Sequence, residues 1–331
     1  MTARTRFLNT PLYAPADRPP LWDEGIRDDV LLAWAKQGLD PGVDPRDLFI
    51  FDRHEDLAVD LAPRPTFDER SDDPEVFVRL RDHYRAEPAR LPDDLHQRIR
   101  EWAQRDYPLG LTVWRGLLQT LAVHDWRSLQ RVLLALHDFP SVLGRTLHVA
   151  TDCALKTVEQ VFGGVMLDYA VFEEPIASAH GSVISPSYFR RFCSQSYLRL
   201  VDLLQARGVQ WFIVRCYGDP TELIPEWLDV GINVLWCCER AGAAMDYRRL
   251  RRQYGRDLRL IGGIDVDAIR GGPDRLSDTL ERDVAWLVED GGYIPMADGR
   301  IRRPVTWRQY ANYRRQLERL VKARLPQESP S

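Results

Sequence analysis

Lysine is almost missing. Among 331 residues only Lys36, Lys156 and Lys322 carry a side-chain amine, which removes most Schiff-base and amine-nucleophile options. Positive charge as a whole is not in surplus either. The 45 Lys and Arg face 49 Asp and Glu, giving a net charge of −4 and a pI near 6.0. A chain without a basic excess has nothing spare for phosphate backbones, so no nucleic-acid partner is expected. No run approaches the roughly 20 apolar residues of a membrane span, and no membrane partner is expected. The opening MTARTRFLNTPLYAPADRPP has no apolar segment of the signal-peptide kind. The cysteines are few and odd in number: Cys153, Cys193, Cys216, Cys237 and Cys238. Together these features lead us to expect reduced thiols and a cytoplasmic protein. No G-x-G-x-x-G or P-loop follows any strand candidate, which weakens a doubly wound nucleotide-binding sheet.

What is present is a globular composition, 44% hydrophobic and 28% charged, in a chain of 38.3 kDa able to bury a large core. The informative stretch is Val209 to Glu239. Val209 to Val214 is an apolar, β-branched and aromatic run ending at Arg215; Asp219-Pro220-Thr221-Glu222 signals a helix start, and Gly231 closes that helix. A second apolar run, Ile232 to Cys238, ends at Glu239. A crossover of this length joins parallel strands, so Arg215 and Glu239 should lie at the same sheet end.

Reading outward, residues 1–20 form a Pro-rich and polar arm expected to order on contact, and the tail 325–331 is expected to be disordered. Helices are expected at 24–37, 74–87, 92–105, 114–123, 125–137, 140–162, 186–208, 246–254, 273–289 and 306–322. Strands are expected at Asp47–Asp52, with Leu57–Leu61 pairing near it, and at Leu109–Val113, Val165–Phe172, Leu258–Ile261 and Gly291–Pro295, besides the two of the central unit. From residue 165 onward strands and helices alternate strictly. Strand ends repeatedly carry charge: Asp52, Glu174, Arg215, Glu239, Asp265 and Asp298. That pattern predicts an α/β fold, a single (β/α)8 TIM-type barrel over 21–324 with an N-terminal helical extension and its site at the carboxyl rim.

Glu173–Phe192 (EEPIASAHGSVISPSYFRRF), Leu260-Ile-Gly-Gly-Ile-Asp265 and Gly291-Gly-Tyr-Ile-Pro-Met-Ala-Asp298 resemble the uroporphyrinogen decarboxylase superfamily. Phe49-Ile-Phe-Asp52 and Arg18-Pro-Pro-Leu-Trp22 resemble the amino-terminal half of its divergent bacterial members. The resemblance implies a barrel with its pocket at the strand ends. It also implies two chemistries: cofactor-free decarboxylation, and zinc-dependent methyl transfer involving thiols and corrinoid proteins. The zinc-bearing His-x-Cys pair of the transferase branch falls here on Arg215 and Tyr217, and its later Cys near Gly299. A guanidinium does not ligate zinc, so no metal is expected at those positions and no cofactor is assigned. The arginine-rich signature for a porphyrinogen substrate is absent; only Trp22-Asp-Glu-Gly-Ile-Arg27 stands there.

The expected activity is metal-independent decarboxylation of a small carboxylated substrate other than uroporphyrinogen. Asp52, Arg215, Glu239 and Asp298 are the catalytic candidates, and Arg215, Tyr217, Glu174, Arg300, His180, His54 and Trp22 the substrate-binding ones. Arg215 would clamp a carboxylate, or else pair permanently with Glu239 or Asp52. Asp52 or Glu239 would steer the proton that replaces CO2. Asp265 is read as a helix cap. Methyl transfer without zinc, and a catalytically silent ligand-binding barrel, are the alternatives. A divalent ion among Glu174, Glu239, Asp265 and Asp298 is a further one. Dimerisation through the outer helices is also expected.

Overall fold

The computed structural model describes residues 1–57, 59–69, 71, 73–86, 91–240 and 245–324, with the side chains of Glu239 and Arg240 outside that set. Contacts divide the chain into two compact units. One comprises residues 55–105 and 109–233; the other comprises 1–54, 106–108 and the chain from 234 onward.

The first unit is built on four parallel strands: β1 (Glu55–Leu57), β2 (Leu109–Trp114), β3 (Tyr169–Glu173) and β6 (Trp211–Gly218), paired in that order. A small antiparallel hairpin, β4 (Ala177–Ser178) with β5 (Gly181–Ser182), follows β3. Strands β2, β3 and β6 are nearly continuous apolar runs because both faces of the sheet are buried there; Leu109, Leu111, Val113, Tyr169 to Phe172 and Phe212 to Val214 are all buried. The crossovers are helical. Pro140–Phe162 is the longest helix of the unit, opened by Pro140 at its first position, and it buries Leu143, Leu147, Ala150, Ala154, Val158 and Val161 along one stripe. Ser185 caps Pro186–Phe192, its hydroxyl accepting the Tyr188 N–H at 3.4 Å, and the chain breaks at Cys193 before resuming as Ser194–Ala206. The expected single helix 186–208 is therefore two.

The second unit carries β7 (Val234–Arg240), β8 (Arg259–Ile264) and β9 (Tyr293–Ala297), again parallel. Asp246 caps Tyr247–Tyr254, accepting from the Arg248 N–H at 2.9 Å. Thr306 and Gln309 close a reciprocal capping box on Trp307–Ala323. The expected helix 273–289 is interrupted by a π-helical turn at Leu280–Val284. Among the described residues no helix is long and apolar enough to cross a membrane.

Two expectations at the amino-terminal end are corrected. The arm contains a regular helix, Ala3–Asn9, capped by the Thr2 hydroxyl. The run Asp47–Asp52 is not a strand: Asp44 caps a 3-10 turn at Pro45–Leu48, and beyond it the side chains take other partners. Phe49 packs on Trp307 and Tyr310, and Phe51 lies under the Arg314 guanidinium at 3.8 Å, so their apolar surface is spent on a helix rather than on a ladder. The tail 325–331 lies outside the described residues.

Candidate functional site

In the first unit β3 ends at Glu173, opposite Arg215 in register, and β6 runs on to Gly218. Alternation along β6 turns Arg215 and Tyr217 to one side and the buried Cys216 to the other. The Arg215 guanidinium meets the Glu173 carboxylate at 2.6 Å and lies 3.8 Å from Asp56 of β1. Asp56 in turn accepts the Tyr169 hydroxyl at 2.7 Å. Burial, with Asp56 beside it, pushes the Tyr169 phenol well above its ordinary value. The Tyr169 ring can lie across β2 because residue 110 is glycine; a Cβ there would sit 2.1 Å from the ring. Strands β1, β3 and β6 thus contribute one connected polar cluster, which runs from Tyr169 at the start of β3 and Asp56 beside it up to Glu173 and Arg215. Glu173 closes β3 at its carboxyl end, where parallel sheets place their chemistry.

Beside this cluster is a cleft of about 410 Å³, lined by Thr112, Arg115, Gln119, Glu173, Pro175 and Tyr217 among others. That is a size for a small molecule. Tyr217 is 37% exposed on its wall.

The next residue, Glu174, points the other way. It is fully buried, accepting the Tyr197 hydroxyl at 2.6 Å and the Leu117 N–H at 2.9 Å. Loss of solvent pushes its carboxyl up to about 7, with those two hydrogen bonds pulling back. The Leu117 bond pins the turn after β2, and Gly116 occupies it at φ +80°, where a Cβ would sit 2.5 Å from the Glu173 carbonyl oxygen.

Of the expected residues, then, Arg215, Glu174, Tyr217 and His180 belong to this unit. Arg215 takes Glu173 and Asp56 as partners rather than Glu239 or Asp52. His180 is exposed in the β4–β5 hairpin, its backbone N–H on the Ser178 hydroxyl at 3.1 Å.

Asp52, Trp22, His54, Asp298 and Arg300 belong to the other unit. Asp52 is buried between the Arg6 and Arg18 guanidiniums and accepts the Leu21 N–H at 2.8 Å, so both of its oxygens are engaged. Trp22 stacks on His54 with ring centroids 4.2 Å apart. Asp298 accepts the Val266 N–H at 3.1 Å at the start of helix Val266–Arg270, whose N-cap is Asp265. Arg300 donates to the Ile26 carbonyl at 3.1 Å and edges a separate, largely aliphatic cleft of about 760 Å³ that includes Leu31, Leu39 and Val43. The Glu239 side chain lies outside the described residues.

The positions onto which the resemblance maps the zinc ligands do not fit that ion: Arg215 is ion-paired, and Cys216 beside it is buried facing away. Among the described residues no group of three or more His, Cys, Asp or Glu side chains could hold a metal ion.

Sequence reasoning missed Asp56, Tyr169, Glu173, Arg115 and Gln119. Arg115 carried the signal used elsewhere, a charge directly after an apolar run. Glu173 was legible as a strand end, but a one-residue register decides which glutamate faces out.

No family model and no curated protein matches the chain. Among solved structures it is similar to a methyltransferase from Methanosarcina mazei, with a TM-score of 0.58 and 15% identity over 96% of this chain and 99% of that one. The likeness shows a shared fold. It agrees at that level with the architecture the motifs imply, and says nothing of the reaction.

Proposed function

We propose that the chain is an enzyme of the uroporphyrinogen decarboxylase type, a (β/α)8-type barrel that removes the carboxyl group of a small carboxylated molecule as CO2. The observation that supports this reading is the connected cluster Arg215–Glu173–Asp56–Tyr169 drawn from three strands of one parallel sheet, bordering a cleft of about 410 Å³. In the reaction the carbon–carboxylate bond breaks heterolytically. CO2 leaves, and the electron pair stays on carbon. Tyr217, on the cleft wall, gives that carbon its hydroxyl proton and regains one from solvent. Arg215 holds the Glu173 and Asp56 carboxylates in place, which fixes the wall of the cleft beside the reacting carbon. Substrates are therefore acids whose carboxyl-bearing carbon has an electron-withdrawing neighbour.

The test is CO2 release from such acids in heavy water, with deuterium appearing at the vacated carbon. Arg215→Ala should lower turnover by about 100-fold or more, because the two carboxylates lose their shared cation; full activity in that variant overturns the assignment. The second reading is methyl transfer, the activity named for the Methanosarcina mazei protein of shared fold. A methylated product formed without CO2 would establish it in place of decarboxylation.

A further inference from the structure

The cleft has one lining cation, Arg115, without an ion-pair partner among the described residues. Of its acidic lining, Glu173 is paired with Arg215 at 2.6 Å and Asp60 accepts the Arg64 guanidinium at 2.8 Å. Arg115 forms no side-chain hydrogen bond or ion pair with any described residue, and neither does the Gln119 carboxamide. They are four residues apart at the helical turn Gly116–Thr120, the spacing that puts two side chains on one face. That turn is held from below: the Leu117 N–H is fixed on buried Glu174, and Gly116 closes against the Glu173 carbonyl.

We propose that Arg115 and Gln119 form the substrate-anion site of this cleft, binding a single carboxylate, while Arg215 serves the internal carboxylates and does not touch the substrate. The proposal rests on the reading of this cleft as the reaction site. A guanidinium fork matches the two oxygens of a carboxylate, and an amide N–H₂ adds a donor without adding charge. One lining guanidinium without an ion pair among the described residues, in about 410 Å³, suits a small monoanion, and Leu61, Pro175 and Tyr217 supply apolar surface for its body. Anchoring the turn through Glu174 presets the arginine, so little ordering is lost on binding.

Benzoate is the probe and benzamide its uncharged counterpart. Phenylglyoxal labelling, read peptide by peptide by mass spectrometry, should modify Arg115 faster than ion-paired Arg215. Benzoate should slow the labelling of Arg115, and benzamide should not. By calorimetry, Arg115→Gln should weaken benzoate binding about 10-fold or more with an unchanged circular dichroism spectrum, and Arg115→Lys should recover part of it. Labelling of Arg115 that benzoate leaves unchanged, or wild-type benzoate binding by Arg115→Gln, overturns the proposal. Benzoate bound at Arg115 with no CO2 released from any acid tried would support this site and refute decarboxylation. Release of CO2 undiminished in Arg115→Gln would do the reverse.

Discussion

Glu174→Gln is the substitution whose effect can be worked from the structure with its sign. The carboxyl is fully buried, and burial raises it from 4.5 to about 7. The folded state therefore holds this proton more tightly than the unfolded chain does. Between those two values the native state binds more protons, so stability falls as pH rises through the window and levels off above it. The ionised form costs roughly 3 kcal/mol relative to an exposed glutamate. Glutamine keeps an acceptor for the Leu117 N–H and a polar group for Tyr197 but cannot ionise. Guanidinium unfolding of both proteins at about pH 5 and about pH 8 isolates the charge. Across that interval the wild type should lose about 2.5 kcal/mol relative to Glu174→Gln, with equal slopes. A difference between the two proteins that does not change with pH would refute the reasoning.

Two other substitutions follow from the same geometry. Gly116→Ala places a Cβ 2.5 Å from the Glu173 carbonyl oxygen and 2.8 Å from a Glu174 carboxyl oxygen, at φ +80°. It should cost at least about 2 kcal/mol in chemical denaturation and weaken benzoate binding with it; a neutral outcome would mean the turn is not fixed. Asp52→Asn leaves Arg6 and Arg18 without their shared carboxylate in a buried setting, and about 3 kcal/mol of stability should go with it. Turnover per folded molecule should be unaffected, and a loss of activity far beyond the loss of stability would return Asp52 to the reaction.

Much of this arrangement is legible in the residues themselves. Helix Pro140–Phe162 has the bounds its periodicity predicts, and Arg215 follows the apolar run as expected, although the strand continues past it to Gly218. The strand expected at Leu57–Leu61 lies instead at Glu55–Leu57, and the reason is chemical. Its two acidic residues look like loop, but Glu55 accepts the Trp102 indole N–H at 3.2 Å and Asp56 accepts Tyr169 at 2.7 Å, partners far away in the chain. The same holds for Asp52. A terminal aspartate after two aromatics reads as a strand end, whereas the arginines that hold it lie in residues 1–20, which composition alone marks as an arm. Local patterns report periodicity. They do not report which distant side chain will neutralise a charge.

The parallel ladders of the first unit have a kinetic consequence. Glu55 pairs with Leu109, Gly110 with Tyr169, and Tyr169 with Trp211, so every ladder that builds the cleft closes a loop of tens of residues. No local hairpin can seed that order; the chain entropy of each closure is lost before the strand contacts repay it. Helix Pro140–Phe162, with only local hydrogen bonds, has no such delay. In refolding, helical signal should therefore return well before the Arg215–Glu173 pair forms. The cleft is then the last part of its unit to mature, and its strand edges stay open to other chains until it does.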